Sequence, residues 1–153
     1  MVDHVWTVAC SRAVIDQASN NLSLEGVLEQ LTITGKPLPD GFLALPFDVA
    51  TLWARSNPAV PEKARMRLSL LAPSGKEHTV KEFDIDLTTA ERYRALLKFN
   101  AIPVSESGRH VFRVDLQQDP EANWKLVASI PITIDFVEPP TLEAEPAPDQ
   151  QHD

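Results

Sequence analysis

Hydrophobic and polar side chains along this chain alternate with a period of two, which is the period of a β-strand. The pattern is clearest in residues 43–53 and 124–136, where large apolar residues share one parity. Shorter stretches at 66–70, 83–87 and 112–116 repeat it. Each stretch therefore predicts a strand with one face in a core and the other in water.

Two apolar stretches near the start, residues 4–12 and 22–33, predict antiparallel strands joined by a turn over residues 16–21. Asn20 and Asn21 supply the turn residues. The apolar parity changes between Leu24 and Val27, so we expect a β-bulge at Gly26. Trp6 and Trp53 fall on parities that predict core positions.

Residues 88–103 combine a helical and a strand signal. Residues 88–91 read Thr-Thr-Ala-Glu, a capping box that predicts a helical turn. Alternation then predicts a strand to about residue 102, closed by Pro103. A second proline, Pro131, lies inside a predicted strand and cannot donate a ladder hydrogen bond. That strand should therefore be an edge at Pro131, or kink there.

Turn-forming sequences at short intervals separate these strands, as at residues 72–76 and 119–123. Many short strands with this spacing are typical of an antiparallel sandwich. The 153 residues are enough for one domain. We predict a single β-sandwich of seven or eight strands over residues 1–137.

Residues 138–153 have a different composition, with five acids, four prolines and Leu142 as the one large apolar residue. Such a segment cannot repay its ordering entropy by burial. It is predicted to be a disordered, acidic, proline-rich tail, mobile over residues 140–153. A peptide that docks on a partner is the alternative.

Charge and cysteine content exclude several classes. The net charge of −8 argues against a nucleic-acid-binding protein, which needs a basic face. The N-terminus lacks the basic and apolar regions of a signal peptide, and no stretch has the 18 or more apolar residues of a membrane span. We expect a cytoplasmic protein without membrane contact, in which the single cysteine, Cys10, is a reduced and buried thiol.

Two sequence stretches carry a resemblance to a known group. Ala-Cys-Ser-Arg-Ala at 9–13 precedes Asn-Leu-Ser-Leu-Glu-Gly-Val at 21–27, and apolar alternation recurs at 108–116 and 126–134. Over residues 5–136 this resembles an uncharacterised bacterial domain-of-unknown-function family of small immunoglobulin-like β-sandwich proteins. The connection at 117–125 is longer than is usual there. The resemblance implies the fold and assigns no activity.

Catalytic and metal-binding patterns are weak in this sequence. It has neither a nucleophile elbow nor a glycine-rich phosphate loop. His78 and His110 stand apart in the sequence and are expected at strand ends or on the surface. We expect no enzymatic activity, no cofactor and no metal.

Glu82, Asp84 and Asp86 alternate along one predicted strand and would share one face. They are expected to form a solvated stripe opposed by Arg65 and Arg67 across a hairpin. The alternative is a ligand- or calcium-binding sandwich that uses this stripe, or the loop residue Trp124.

Apolar residues on the solvent-facing parity remain, and they are Leu52, Leu71, Val111 and Val127. An outward apolar patch favours contact with a partner. We therefore expect a non-enzymatic protein-interaction module, acting on a protein partner or by self-association, through a sheet face or an edge strand. Contact through a face is favoured because Pro131 limits edge pairing.

Overall fold

The computed structural model describes residues 1–142, and every regular element in that range is a β-strand. The all-β prediction is confirmed, with nine strands instead of seven or eight. They are β1 (Val2–Ile15), β2 (Leu22–Val27), β3 (Gln30–Thr34), β4 (Phe42–Arg55), β5 (Glu62–Leu71), β6 (Glu77–Leu87), β7 (Arg92–Pro103), β8 (Gly108–Gln117) and β9 (Lys125–Val137).

The strands form two sheets. Sheet I has the order β2-β1-β4-β7, and sheet II has the order β3-β9-β8-β5-β6. Neighbouring strands are antiparallel except β3 and β9, which are parallel. In chain order, β1, β4 and β7 take the places of immunoglobulin strands A, B and E, while β5, β8 and β9 take those of C, F and G. The strand order is therefore that of an immunoglobulin-like sandwich.

The core lies between the two sheets and is built from the inward parity of each strand. Trp53 is fully buried, as predicted. Phe47 stacks on Phe99 with ring centroids 4.9 Å apart and meets Phe112 of the opposite sheet at 5.9 Å. The contact between Phe47 and Phe112 joins the two layers.

The first predicted hairpin is present in a shorter form. The Asp16 amide donates to the Asn21 carbonyl at 2.9 Å, and β1 pairs with β2 from Cys10 opposite Val27 to Ile15 opposite Leu22. That register is unbroken, so the bulge predicted at Gly26 is wrong. The parity changes because the chain leaves sheet I after β2 and enters sheet II at β3, with Leu28 buried between them.

The strand predicted after residue 91 is confirmed as β7, but residues 88–91 do not form a helical turn. The Thr88 amide and hydroxyl donate to the Asp86 carboxylate at 2.9 and 2.6 Å. Thr88, which would cap a helix, thus donates its hydrogen bonds to Asp86, two residues earlier in the chain, and β6 ends at Leu87. These hydrogen bonds, the hydroxyl's first, hold the pKa of Asp86 below its ordinary range.

The last strand, β9, ends at the predicted sandwich boundary, Val137. Residues 138–142 carry no regular structure, and the rest of the predicted acidic tail lies outside the described residues. The described part of the chain holds no helix with the length and apolar character of a membrane span.

Candidate interaction surfaces

The four residues predicted to form an outward apolar surface lie in three different places. Leu71 and Val111 are direct cross-strand neighbours on the outer face of sheet II, and Pro131 continues their row on β9. Leu52 lies on the outer face of sheet I. Val127 packs against the core. The structure therefore brings together Leu71 and Val111 alone of the four.

The solvent-facing position predicted for Val127 is wrong because β9 carries a bulge. Ala128 lies opposite Val114 and Leu126 lies opposite Asp115, which leaves Val127 as the extra residue. The bulge shifts the alternation by one position. Leu126 is consequently 45% exposed, while Val127 turns inward.

The acidic stripe of β6 is paired with cations of the neighbouring strand β5. Arg65 lies 3.3 Å from both Glu82 and Asp84, and Lys63 lies 3.7 Å from Asp86. Arg67 pairs instead with a carboxylate of β8, at 3.5 Å. Within residues 1–142, no group of three or more His, Cys, Asp or Glu side chains is placed to hold a metal ion.

Trp124, the candidate ligand-binding aromatic residue, lies over the arginines of sheet II. The Arg67 guanidinium carbon is 4.5 Å from the indole centroid, and that of Arg65 is 5.9 Å away. The Gln117 side chain donates to the Ala122 carbonyl at 2.8 Å and holds the preceding loop in place. One face of the indole is thus engaged in a cation–π contact.

Residues 10–27, the hairpin arm, fold across the outer face of sheet I. At one end the Ala13 amide donates to the Asp48 carboxylate at 2.8 Å. At the other end the Arg94 guanidinium donates to the backbone and side-chain oxygens of Asn20, both at 3.0 Å. Since Asp48 belongs to β4 and Arg94 to β7, the arm reaches from the middle of the sheet to its edge.

Cys10 lies at the base of the hairpin arm and is fully buried, as predicted. Burial raises the pKa of the Cys10 thiol, and the nearby Asp48 carboxylate raises it further. The thiol is therefore kept in its protonated, unreactive form.

The core position predicted for Trp6 is wrong. The pairing of β1 with β4 shifts between His4 and Trp6, so Val5 is an extra residue and the two parities exchange. His4 faces the core opposite Trp53, whereas Trp6 lies half-buried beside Leu52 on the outer face. Burial lowers the pKa of His4.

His110 lies near the start of β8, one of the two places expected for it, but it is fully buried on the inward face and not at the surface. Its Nδ1 lies 3.1 Å from the Gly108 carbonyl oxygen, and its Nε2 is enclosed without a hydrogen-bond partner. His110 shares its parity with Phe112 and Val114, and that alternation was the signal available in the sequence. His78 is half-buried on β6.

The open cavities on the described part of the chain include the following two. One, of about 440 Å³, is lined by Lys63, Arg65, Asp84 and the loop after β8. The other, of about 610 Å³, is lined by the N-terminal residues and by residues 125–127. The Gln118 side chain closes one wall of the second cavity, because it exchanges hydrogen bonds with the amide and carbonyl of Val2 at 2.9 and 2.8 Å.

The edge strands of the two sheets differ in how open they are. In sheet I, β2 has six residues and includes Gly26; in sheet II, β3 has five residues and β6 has an interrupted register with β5. The other edge of sheet I, β7, has 12 residues and pairs with β4 in unbroken register from Arg92 to Phe99. Natural edges are commonly blunted by shortness, bulges, proline or charged side chains. Before Pro103, β7 carries only the last of these, on Arg92, Arg94 and Lys98.

The free backbone groups of β7 belong to its even-numbered residues. The Arg55 amide donates to the Glu91 carbonyl at 3.0 Å, so odd-numbered residues form the hydrogen-bonded pairs with β4. The amides and carbonyls of Arg92, Arg94, Leu96 and Lys98 therefore point to the open edge. Their side chains lie on the outer face, because Tyr93 and Leu97 pack against the core.

The first half of β9 is also an edge, which confirms the prediction made from Pro131. Strand β3 pairs with β9 from Thr133 onward, and the Thr133 amide donates to the Glu29 carbonyl at 3.1 Å. Two residues earlier, the Pro131 nitrogen faces the same side, beyond the reach of β3. The missing donor thus falls where no ladder hydrogen bond is needed.

Comparisons with known proteins show similarity to several solved structures, two of which are of similar extent. No protein-family model and no curated protein matches the chain. The N-terminal domain of PorA is 13% identical with a TM-score of 0.33, over 86% of this chain and 97% of that one. An immunoglobulin-like protein from Pseudomonas aeruginosa is 12% identical with a TM-score of 0.33, over 88% of this chain and 96% of that one.

Proposed function

We propose that this protein is a non-enzymatic interaction module that binds an extended segment of a protein along the open edge of β7. The observation that carries the proposal is the length and regularity of that edge. An extended segment can add to such an edge as a further strand, with main-chain hydrogen bonds giving affinity and side chains giving specificity. We further propose that the protein is a cytoplasmic member of the uncharacterised bacterial family it resembles.

The side chains of β7 indicate the chemistry of the segment. Arg92, Arg94 and Lys98 line its outer face, while apolar side chains alternate with them on the inner face. Opposite charges placed directly across a strand pair are favourable. The preferred segment therefore alternates acidic with apolar residues.

The edge fits this role better than the outer face of sheet II, where contact was favoured on sequence grounds. The apolar row on that face is narrow, because each of the three strands contributes a single residue to it: Leu71, Val111 and Pro131. Beside it, Arg113 pairs with Glu77 at 3.5 Å, so charged groups flank the row. A face contact would have to cover or break that ion pair.

A capped synthetic peptide that alternates Asp with Val tests the proposal. Leu96→Pro removes a free edge amide and leaves the hydrogen bonds to β4 in place, because even-numbered amides point outward. We expect wild type to bind the peptide saturably in a fluorescence titration and Leu96→Pro to bind it at least about tenfold more weakly. Leu96→Ala, which keeps the amide, is the matched control and should bind like wild type.

Peptide binding that Leu96→Pro leaves unchanged would contradict the edge proposal, provided that the variant melts cooperatively. So would the absence of any binding by wild type. Saturable binding of Ca²⁺ in place of the peptide would favour the alternative, a calcium-binding sandwich that uses the acidic stripe of β6.

A further inference from the structure

The edges of β6 and β7 lie on the same side of the sandwich, and β6 keeps an unbroken register with β5 from Lys81 to Leu87. The two strands are consecutive, run in opposite directions and are joined by residues 88–91, yet they belong to different sheets. Each is the last strand of its sheet. The rings of Phe83 and Tyr93, with centroids 6.3 Å apart, meet between them. One side of the molecule thus presents two stacked edges.

These two edges carry opposite charges on their outer faces. Glu82, Asp84 and Asp86 line β6, and the outward cations of β7 are Arg92, Arg94 and Lys98. Arg94 already donates to Asn20, and Lys98 lies 3.2 Å from Asp48 with its side chain still 69% exposed. The acids remain accessible despite their pairing with β5, since the Asp84 and Asp86 side chains are 83% and 56% exposed. Both strands place apolar side chains on the inner face. Each edge is therefore the complement of the other.

We infer that the segment bound by β7 is strand β6 of a second copy of this chain, and that the binding is reciprocal. The inference rests on the proposed function of the β7 edge. A two-fold axis parallel to the strands, midway between the layers, sets β7 of each copy beside β6 of the other. The dimer then has two continuous sheets, and each joins sheet I of one copy to sheet II of the other.

Strand direction and facing are both correct in this arrangement. Rotation about an axis parallel to the strands preserves their directions, so β7 meets the partner's β6 in antiparallel orientation. The same rotation exchanges top and bottom layers, so outer faces meet outer faces. Arg92 and Asp86 flank the 88–91 connection and lie at the same end of the sandwich. Arg92 and Arg94 therefore come close to the acids of the second copy.

Other pairings of these edges are disfavoured by charge. Two copies of β7, paired antiparallel about Leu96, would set Arg94 against Lys98. Two copies of β6 would set acids against acids. Like charges directly opposite one another destabilise a strand pair. In the reciprocal arrangement, by contrast, Arg92 and Arg94 lie beside acids of the other copy.

Two charge reversals in the full chain test the inference. Asp84→Lys alters the β6 edge, and Arg92→Glu alters the β7 edge. We expect wild type to dimerise in sedimentation equilibrium and each variant alone to dissociate at least about tenfold more readily. An equimolar mixture of the two should dimerise again, because one contact then joins the introduced Lys to the introduced Glu and the other contact is wild type.

Asp135→Lys and Arg109→Glu make the same charge changes at exposed positions away from both edges, and they should leave the dimer unchanged. A wild type that stays monomeric at about 1 mM overturns the inference, as does a mixture that stays monomeric. If such a monomer still binds the acidic peptide, and Leu96→Pro abolishes that binding, the proposed function stands without the dimer. Loss of dimer in Arg92→Glu but not in Asp84→Lys would reject the reciprocal arrangement, because both edges contribute to each of its contacts.

Discussion

The Asp48 carboxylate accepts a hydrogen bond from the Ala13 amide at the point where β1 leaves β4. The last residue pair between these strands is Cys10 with Asp48, so the Ala13 amide has lost its partner in the ladder. The Asp48 carboxylate replaces that partner and also lies 3.2 Å from the Lys98 ammonium. One side chain thus ties the hairpin arm to two strands of sheet I.

Replacement of Asp48 by Ala should destabilise the protein by about 2 kcal/mol, because it leaves a buried amide without an acceptor. Asp48→Asn keeps an acceptor oxygen and should cost less. The ion pair with the largely exposed Lys98 contributes little. Urea unfolding of both variants measures the difference. Equal losses would show that charge, not the hydrogen bond, holds the arm.

Aspartate substitutions at Val111 and Val127 should have unequal effects. Val111 lies on the outer face of sheet II, so Val111→Asp should change the free energy of unfolding by less than about 1 kcal/mol. Val127 packs against the core, and Val127→Asp should cost at least about 2 kcal/mol because the carboxylate loses hydration. Denaturant titrations check both, and equal effects would contradict the bulge in β9.

His4 should make stability fall on mild acidification. Burial lowers the pKa of His4 below its ordinary value of 6.5, so the unfolded chain takes up a proton before the folded chain does. The stabilisation is full above the unfolded value and is lost as the pH falls from there through the folded pKa. His4→Asn removes this contribution. The stability advantage of wild type over the variant should therefore shrink between pH 7.5 and 5, as measured by thermal unfolding.

Calcium should not bind specifically to the acidic stripe. Ca²⁺ needs six to eight oxygens around one point, whereas Glu82, Asp84 and Asp86 alternate along a strand and are paired with Arg65 and Lys63. Calorimetric titration should show no saturable heat for wild type or for Asp84→Asn. A tight site that disappears in the variant would support the calcium-binding alternative.

Removal of residues 139–153 should leave the melting temperature nearly unchanged. The expectation comes from composition, since this segment has a single large apolar residue, Leu142. A change of about 1 kcal/mol in the free energy of unfolding would move the melting temperature by roughly 2–8 °C. A loss of that size in the truncated chain would show that the acidic segment docks on the sandwich.

Alternation along the chain was enough to predict the long strands. The parities of β4, β5 and β8 place Trp53, Met66 and Phe112 in the core, as the sequence indicates. At Trp6 and Val127 the predicted burial was wrong because an extra residue, Val5 or Val127, had reversed the parity. Such bulges depend on pairing with a distant strand, and the chain near them carries no glycine or proline to mark them.

The candidate surfaces were less predictable, because they depend on which strands end each sheet. The pattern of residues 22–33 predicts one strand with a β-bulge, yet these residues form two strands in different sheets. The opposition of Leu71 and Val111 needed the pairing of β5 with β8, which local sequence does not specify. The open edge of β7 is likewise a property of strand order, although the strand itself was predicted.

The parallel pairing of β3 with β9 constrains the order in which the protein can fold during synthesis. Gln30 pairs with Thr133 and Thr34 with Val137. Strand β3, one of the first to leave the ribosome, therefore cannot pair until β9, the last strand, has been made. Pairings this distant in sequence are slow to form because a long loop must close first. Until then β3 is unpaired, and so is the edge of β8 that β9 will occupy. A chaperone that shields exposed strands should therefore affect the yield of this protein most when translation of the final strand is delayed.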